Sequence, residues 1–175
     1  MLTKDSTETL AITALTKALG DTSPEVRSKS AESLSYIASN PKFNTIQCQA
    51  IVNSLVQLLD DRDATVRLTA VKALDTIGSD IPIPHLVTRL TDPDTDVRIA
   101  TAKTLAKLGK DKALHHLLSS LGDVNATVRA TAVEALGEFG VEDAIPHLVN
   151  TLSDNDPEVR LKSAEAIGKI GSRSF

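Results

Sequence analysis

The sequence predicts an all-α protein, a right-handed α-solenoid of five two-helix repeats running through the whole 175-residue chain. Three observations carry this. The dipeptide Val-Arg recurs at Val26-Arg27, Val66-Arg67, Val97-Arg98, Val128-Arg129 and Val159-Arg160, and the last four arginines stand 31 residues apart. Each Arg follows an Asp at a fixed distance (Asp21, Asp61, Asp92, Asp123, Asp154) and precedes Leu34, Leu74, Leu105, Leu136 or Ile167 by seven residues. Aromatic residues are 2% of the chain while apolar residues are an ordinary 41%, so aliphatic and small side chains must supply the core that large rings usually anchor. A period of this length belongs to stacked helical pairs, each burying its apolar face only against its neighbours.

Within a repeat, the first helix is clearest at Ile81 to Leu90, Ala113 to Leu121 and Ala144 to Leu152. Ile83, Leu86, Val87 and Leu90 follow the three-and-four spacing of an amphipathic helix. Pro84 and Pro146 stand near its start, where a missing N–H costs least. A turn follows, in which Ser23, Asp63, Asp94, Asn125 and Asp156 are favoured N-caps for the second helix. Pro24 and Pro157 then take its first position. The second helix buries Val97, Thr101, Ala102, Leu105 and Leu108 in the third repeat, and Phe139 takes a core column in the fourth. Gly78, Gly109, Gly140 and Gly171 end it, because glycine enters the left-handed C′ conformation without a steric penalty. The repeats run approximately 8–38, 47–78, 80–109, 111–140 and 142–171, as one domain. A nine-residue insertion over 38–46 contains the helix-ending pair Asn40-Pro41, is bracketed by Tyr36 and Phe43, and lengthens a loop or extends the next helix.

Two sets of columns need a physical reason. Ala31, Ala102 and Ala164 share a column with Val71 and Val133, and small side chains let neighbouring helices approach to the short end of the roughly 8–10 Å range. The arginines sit in the first turn of a helix, where the macrodipole disfavours a cation by a few tenths of a kcal/mol. The Asp of the interhelical turn is the simplest compensation. Stacking would set Asp21, Arg27, Asp61, Arg67, Asp92, Arg98, Asp123, Arg129, Asp154 and Arg160 side by side as a structural ladder, since the planar Arg fork bridges two acceptors. The matched Asp column speaks against a row of arginines reserved for an anionic partner.

A charge balance of 19 Lys+Arg against 23 Asp+Glu, net −4, argues against a nucleic-acid surface. The single Cys48 excludes an intramolecular disulfide and a Cys-based zinc site, and no His or Lys in its turn would lower its pKa. No apolar run reaches membrane-spanning length and the N-terminus lacks a secretory apolar segment, so a cytoplasmic protein is expected. His85, His116 and His147, with His115 beside them, occupy one first-helix column. Successive repeats separate such positions by roughly 10 Å, too far for one ion. Asp60-Asp61 and Asp92-x-Asp94 are accounted for by capping and the ladder. No phosphate-binding loop, nucleophile elbow or dinucleotide fingerprint is present, so neither a catalytic residue nor a cofactor is expected. The outer positions of the second helix form the concave wall of such an array. They carry Tyr36, Leu68, Lys72, Ile99, Lys103 and Lys107 in the first three repeats and Glu134, Glu138 and Glu165 in the last two. Apolar residues flanked by charges suit a protein-binding surface; packing between repeats is the other use for Leu68, Ile99 and Leu161.

The turn Asp-x-[Asp/Asn/Ser]-x-x-Val-Arg, the helix end Ala-x-x-Leu-x-x-[Ile/Leu]-Gly, and stretches such as Ala144-Ile145-Pro146-His147-Leu148-Val149 and Val133-Glu134-Ala135-Leu136-Gly137 resemble HEAT repeats. They are most similar to the short HEAT-like class named for phycobilisome lyases, from about Glu8 to Gly171. The resemblance implies an armadillo-like solenoid that binds other proteins. Some cyanobacterial members are subunits of enzymes that attach bilins to phycobiliproteins, or act in phycobilisome breakdown. The expected function is a non-catalytic scaffold that binds a partner protein on the concave second-helix face. The alternative is a subunit of a phycobilin lyase, or a phycobilisome-handling protein that contacts bilin or phycobiliprotein. HEAT-like enzymes resembling deoxyhypusine hydroxylase hold di-iron through His-Glu dipeptides, which this chain lacks. Only Ser172-Arg173-Ser174-Phe175 follow Gly171, with no polar capping helix. An apolar edge there predicts self-association, or continuation in a longer protein.

Overall fold

Why each second helix starts where it does is settled at its cap. In the computed structural model, which describes residues 4–40, 45–79, 82–108 and 110–173, one cap residue opens every second helix. Ser23 Oγ accepts from the Val26 amide at 3.3 Å, Asp63 Oδ1 from Thr65 at 2.8 Å, and Asp94 Oδ1 from Asp96 at 2.9 Å. Asn125 Oδ1 accepts from Thr127 and Asp156 Oδ1 from Glu158, each at 2.9 Å. Each bond satisfies an amide that has no partner within the helix.

The described helices are α1 (Lys4–Ala18), α2 (Pro24–Ala38), α3 (Thr45–Gln57), α4 (Ala64–Ile77), α5 (Ile83–Leu86), α6 (Thr95–Leu108), α7 (Lys110–Ser120), α8 (Ala126–Phe139), α9 (Ile145–Thr151) and α10 (Pro157–Gly171). Odd numbers are first helices and even numbers second helices, the architecture of an α-solenoid. Two first helices, α5 and α9, are shorter than the periodicity predicts, whereas α7 starts earlier, at Lys110. α5 passes into a 3-10 turn over Val87–Thr91, α3 into one over Leu58–Asp60, and a 3-10 turn over Glu142–Ala144 precedes α9. Tight final turns let carbonyls at a helix end find donors three residues on. The far side of the insertion is helical, since α3 begins at Thr45; Pro41 and Phe43 lie outside the described residues, as do Ile81, Gly109 and Phe175.

The chain divides into two compact units, one ending at His85 and one beginning at Leu86. In the first unit, α2 packs on α4, with α1 and α3 against them. Leu34, Leu55 and Leu74 are wholly buried there. In the second, α8 packs on both α6 and α10, and α7 and α9 cover α8 and α10. Leu105, Leu117, Leu136, Leu148 and Ile170 form its core. Each such side chain contributes about 1.5–3 kcal/mol on burial.

Three details depart from the sequence expectation. Gly78 and Gly140 take the left-handed conformation, at φ 72° and 69°, but Gly171 stays inside α10. There Ser172 caps the helix instead: its amide donates to the Gly168 carbonyl and its hydroxyl to that of Lys169. Leu108 and Phe139 are half-buried rather than core, whereas Ile170 in the same column is wholly buried. Ala164 is exposed, although Ala31, Val71, Ala102 and Val133 of its column are wholly buried.

Candidate functional site

The turn between paired helices carries a recurring polar network. Its Asp first ends the helix before it: the amides of Asp21, Asp61, Asp92, Asp123 and Asp154 each donate to the carbonyl three residues back. Its Oδ1 then accepts from the amide two residues on, at 2.8–3.0 Å in all five turns. Its carbonyl accepts from Nη1 of the Arg in the same repeat, at 2.9 Å for Arg27, Arg67, Arg98 and Arg129 and 2.7 Å for Arg160. Finally, at Asp61, Asp123 and Asp154 the carboxylate receives the Nε and Nη2 edge of the preceding repeat's Arg. Arg27 grips Asp61 with both bonds at 2.7 Å, Arg98 grips Asp123 at 2.8 and 3.0 Å, and Arg129 grips Asp154 at 2.8 and 2.7 Å. A bidentate, charge-assisted pair of this kind is among the stronger hydrogen-bonded contacts a protein makes.

These pairs lie at the edge of the core, with Arg27, Arg67 and Arg98 buried. Hydrogen bonding to the carboxylate raises the pKa of Arg27, Arg98 and Arg129 above the usual guanidinium value, against the opposing effect of burial. Burial pushes the Asp61 and Asp123 carboxyls up, but the Arg forks and turn amides more than reverse it and hold both below the ordinary carboxylate range. Asp154 is lowered chiefly by its bond from Arg129.

The outer face of the second helices is chemically different. Tyr36, Lys72, Lys103, Lys107, Glu134, Glu138 and Glu165 are exposed, while Leu68 and Ile99 are half-buried and Leu161 is exposed. In the first unit, α2 and α4 enclose a groove of about 450 Å³ lined by Ser28, Glu32, Tyr36, Thr69, Lys72 and Thr76, among others. Ser28 Oγ is buried in its wall with no hydrogen-bond partner among the described residues. Lys29 on its rim pairs with Glu32. In the second unit, Lys103, Ala130, Thr131, Glu134 and Lys162 line a groove of about 290 Å³ with residues of the α8 and α10 starts. Lys162 there bridges Glu165 at 3.3 Å and Glu134 at 3.6 Å, which raises its pKa, Glu165 first.

Other residues singled out in the sequence stand apart from these grooves. His85, His115, His116 and His147 are exposed, and among the described residues no group of three or more His, Cys, Asp or Glu is placed to hold a metal ion. Cys48 is half-buried and donates weakly to the Ala38 carbonyl at 3.8 Å. No described helix is long and apolar enough to cross a membrane.

Two contacts escaped the sequence reading. A Cβ at Gly137 of α8 would stand 2.7 Å from the Ala166 Cβ of α10, so these helices touch through glycine. Their residue types signal it only once the two helices are known to be neighbours. Arg173 lies over Gly140, in the space a side chain would fill, and donates to the Glu138 carbonyl at 3.1 Å.

Several solved structures share the fold. The complex of CpcE and CpcF of phycocyanin lyase from Nostoc sp. PCC7120 is similar at 25% identity and a TM-score of 0.74; the match covers 98% of this chain and 66% of that one. A designed armadillo repeat protein in complex with the peptide (KR)4 is 25% identical with a TM-score of 0.63, covering 95% of this chain and 84% of that one. An engineered protein is 27% identical at a TM-score of 0.63, covering 91% and 47%. Among curated proteins none matches the sequence. Models of HEAT repeats match residues 52–127 and 114–174, and a HEAT repeat model matches 11–40; on these matches and this architecture, the chain belongs to the HEAT-repeat family.

Proposed function

We propose that this protein is a non-catalytic scaffold that binds a partner protein along the outer face of its second helices. One observation carries the reading. The face holds grooves whose rims are exposed charge and one exposed tyrosine, Tyr36 at 65%, while the recurring Asp and Arg of the repeats are consumed by the turns. Tyrosine offers a large rigid contact at low entropic cost, and Lys72, Lys103, Glu134 and Glu138 would select a partner by charge. The designed armadillo repeat protein in complex with the peptide (KR)4 is a fold neighbour that holds a peptide, which supports the reading. The test is capture from native lysate by the immobilised chain and by two variants, Y36A/K72E and E134K/E138K. Both should lose the captured protein while melting as the parent does; equal capture by all three would overturn the reading.

A second reading draws on the lyase neighbour, which the chain matches over 98% of its own length. In that reading the same face contacts a phycobiliprotein or its bilin. Titration with free phycocyanobilin separates the two. A shift of the pigment's absorbance supports the lyase-related role, and an unchanged spectrum with continued capture of protein supports the scaffold.

A further inference from the structure

The five second helices are alike in sequence but not in how they are covered. The residue before the Arg is wholly buried at Val66, Val97, Val128 and Val159, but Val26 is 39% exposed. Six residues after the Arg, Ala73, Thr104, Ala135 and Ala166 are buried and Ser33 is only half-buried. Other columns reverse the pattern. Four after the Arg, all are wholly buried except Ala164, which is exposed; seven after, all are wholly buried except Ile167, which is half-buried. The contact of Gly137 with Ala166 fixes the sense, because the sixth column of α10 faces back onto α8. Thus α2 bares the side that a second helix turns toward a preceding repeat, and α10 bares the side turned toward a following one.

The ladder charges follow the same division. Arg27, Arg98 and Arg129 each seat Nε and Nη2 on the carboxylate of the next turn. Arg160 makes only the Nη1 bonds to its own turn, at Asp154 and Asn155. Its Nε and Nη2 edge meets no acceptor among the described residues, and the side chain is exposed. Asp21 is the counterpart. Its Oδ1 holds the Ser23 amide at 2.8 Å, as in every turn, it is exposed, and no guanidinium fork of the described residues is seated on it.

We infer that the final repeat of one molecule docks on the first repeat of a second copy, with Arg160 gripping Asp21 and the Ala164–Ile167 side of α10 laid against Val26 and Ser33 of α2. The occupant is a second copy because both halves of the contact are present on this chain in the geometry it already uses between α2 and α4 and between α8 and α10. The bared charges are opposite, and each bared side is the complement of the other. This surface is separate from the groove-bearing face. A contact between two different faces leaves one of each unused, so it extends head to tail rather than closing as a two-fold dimer.

Sedimentation velocity of the full 175-residue chain over a concentration series tests this. The mass should rise with concentration past the dimer. R160D and D21R should each weaken association about tenfold, by setting like charges opposite each other. Mixing the two variants in equal amounts should restore it, since each then meets an opposite charge at both ends. Circular dichroism of each variant reports its fold; if R160D fails to fold, A164D probes the same side. A chain that stays monomeric to about 100 µM overturns the inference. So does weakening by R160D with D21R unaffected and no rescue on mixing, which would mean a symmetric contact through α10 alone.

Discussion

The interhelical turns and the outer faces of the second helices use charge in opposite ways. In the turns, one Asp makes bonds through its amide, its carbonyl and both carboxylate oxygens, and the Arg paired with it lies at the edge of the core. The residue types are the same in all five repeats. On the faces, charges are exposed and change sign from Lys72 and Lys103 to Glu134, Glu138 and Glu165. Burial explains the contrast. A charge taken out of water must be matched in fixed geometry, whereas an exposed one contributes little to stability and is free to vary. The turns therefore specify the fold, and the faces are left to specify what it meets.

The largest effect is expected where that contrast is cut at its strong side. R98A removes the fork from Asp123 and leaves a part-buried carboxylate without its cation, a loss of about 3–5 kcal/mol readable as a lower urea midpoint. R98K keeps the charge but not the planar fork and should recover only part of it. A change within about 0.5 kcal/mol for R98A would place the ladder with the ordinary surface pairs. Acid probes the same pairs together. Asp61, Asp123 and Asp154 have folded values below the ordinary carboxylate range, against about 3.9 in an unfolded chain. Their contribution is complete above that value and is lost as pH falls through the lower folded ones. The raised Arg values place the matching loss only at strongly alkaline pH. The melting temperature should hold steady from neutral pH to about 5 and fall below about 4, and R98A should flatten that fall because the share of Asp123 is already gone.

A smaller effect separates close packing from mere helix propensity. G137A drives a Cβ to 2.7 Å from that of Ala166, which costs about 1–3 kcal/mol as overpacking against a propensity gain of about 1 kcal/mol. A net loss is expected, relieved in G137A/A166G. Gly168 in α10 has open space around it, so G168A should stabilise by about 0.5–1 kcal/mol. Thermal melts of the three variants make the comparison, and equal shifts for G137A and G168A would show that helix contact is not the governing term.

Much of this was legible before the structure. The Val-Arg period located the helix pairs, and all five cap residues are where the spacing put them, because capping depends on neighbours only two or three residues away. Pairing between repeats is harder, since the spacing places Asp and Arg near each other without saying that each Arg takes the carbonyl of its own Asp and that Arg27, Arg98 and Arg129 take the carboxylate of the next. Gly171 misled because glycine permits a left-handed end without requiring one, and Ser172 closes α10 through its own amide and hydroxyl. Arg173 over Gly140 is a contact between residues far apart in sequence, and no local pattern announces it. The face yields its exposure to a helical wheel, but not its grooves, which depend on how closely α2 meets α4 and α8 meets α10.

The smallest stability effect should be the one with the largest functional consequence. Glu138 and Lys72 are exposed side chains on well-packed helices, so E138K and K72E should move the unfolding free energy by no more than about 0.5 kcal/mol. A partner held by this face would nevertheless meet a reversed charge at the contact. Its binding should weaken, and the weakening should shrink as salt rises, since exposed charges lie within reach of ionic screening over about 8 Å at physiological strength. Titration of the captured partner at two salt concentrations reads this directly. If the two substitutions destabilise the fold as R98A does, the faces share in holding the array together, and the division between turns that fold and faces that bind is wrong.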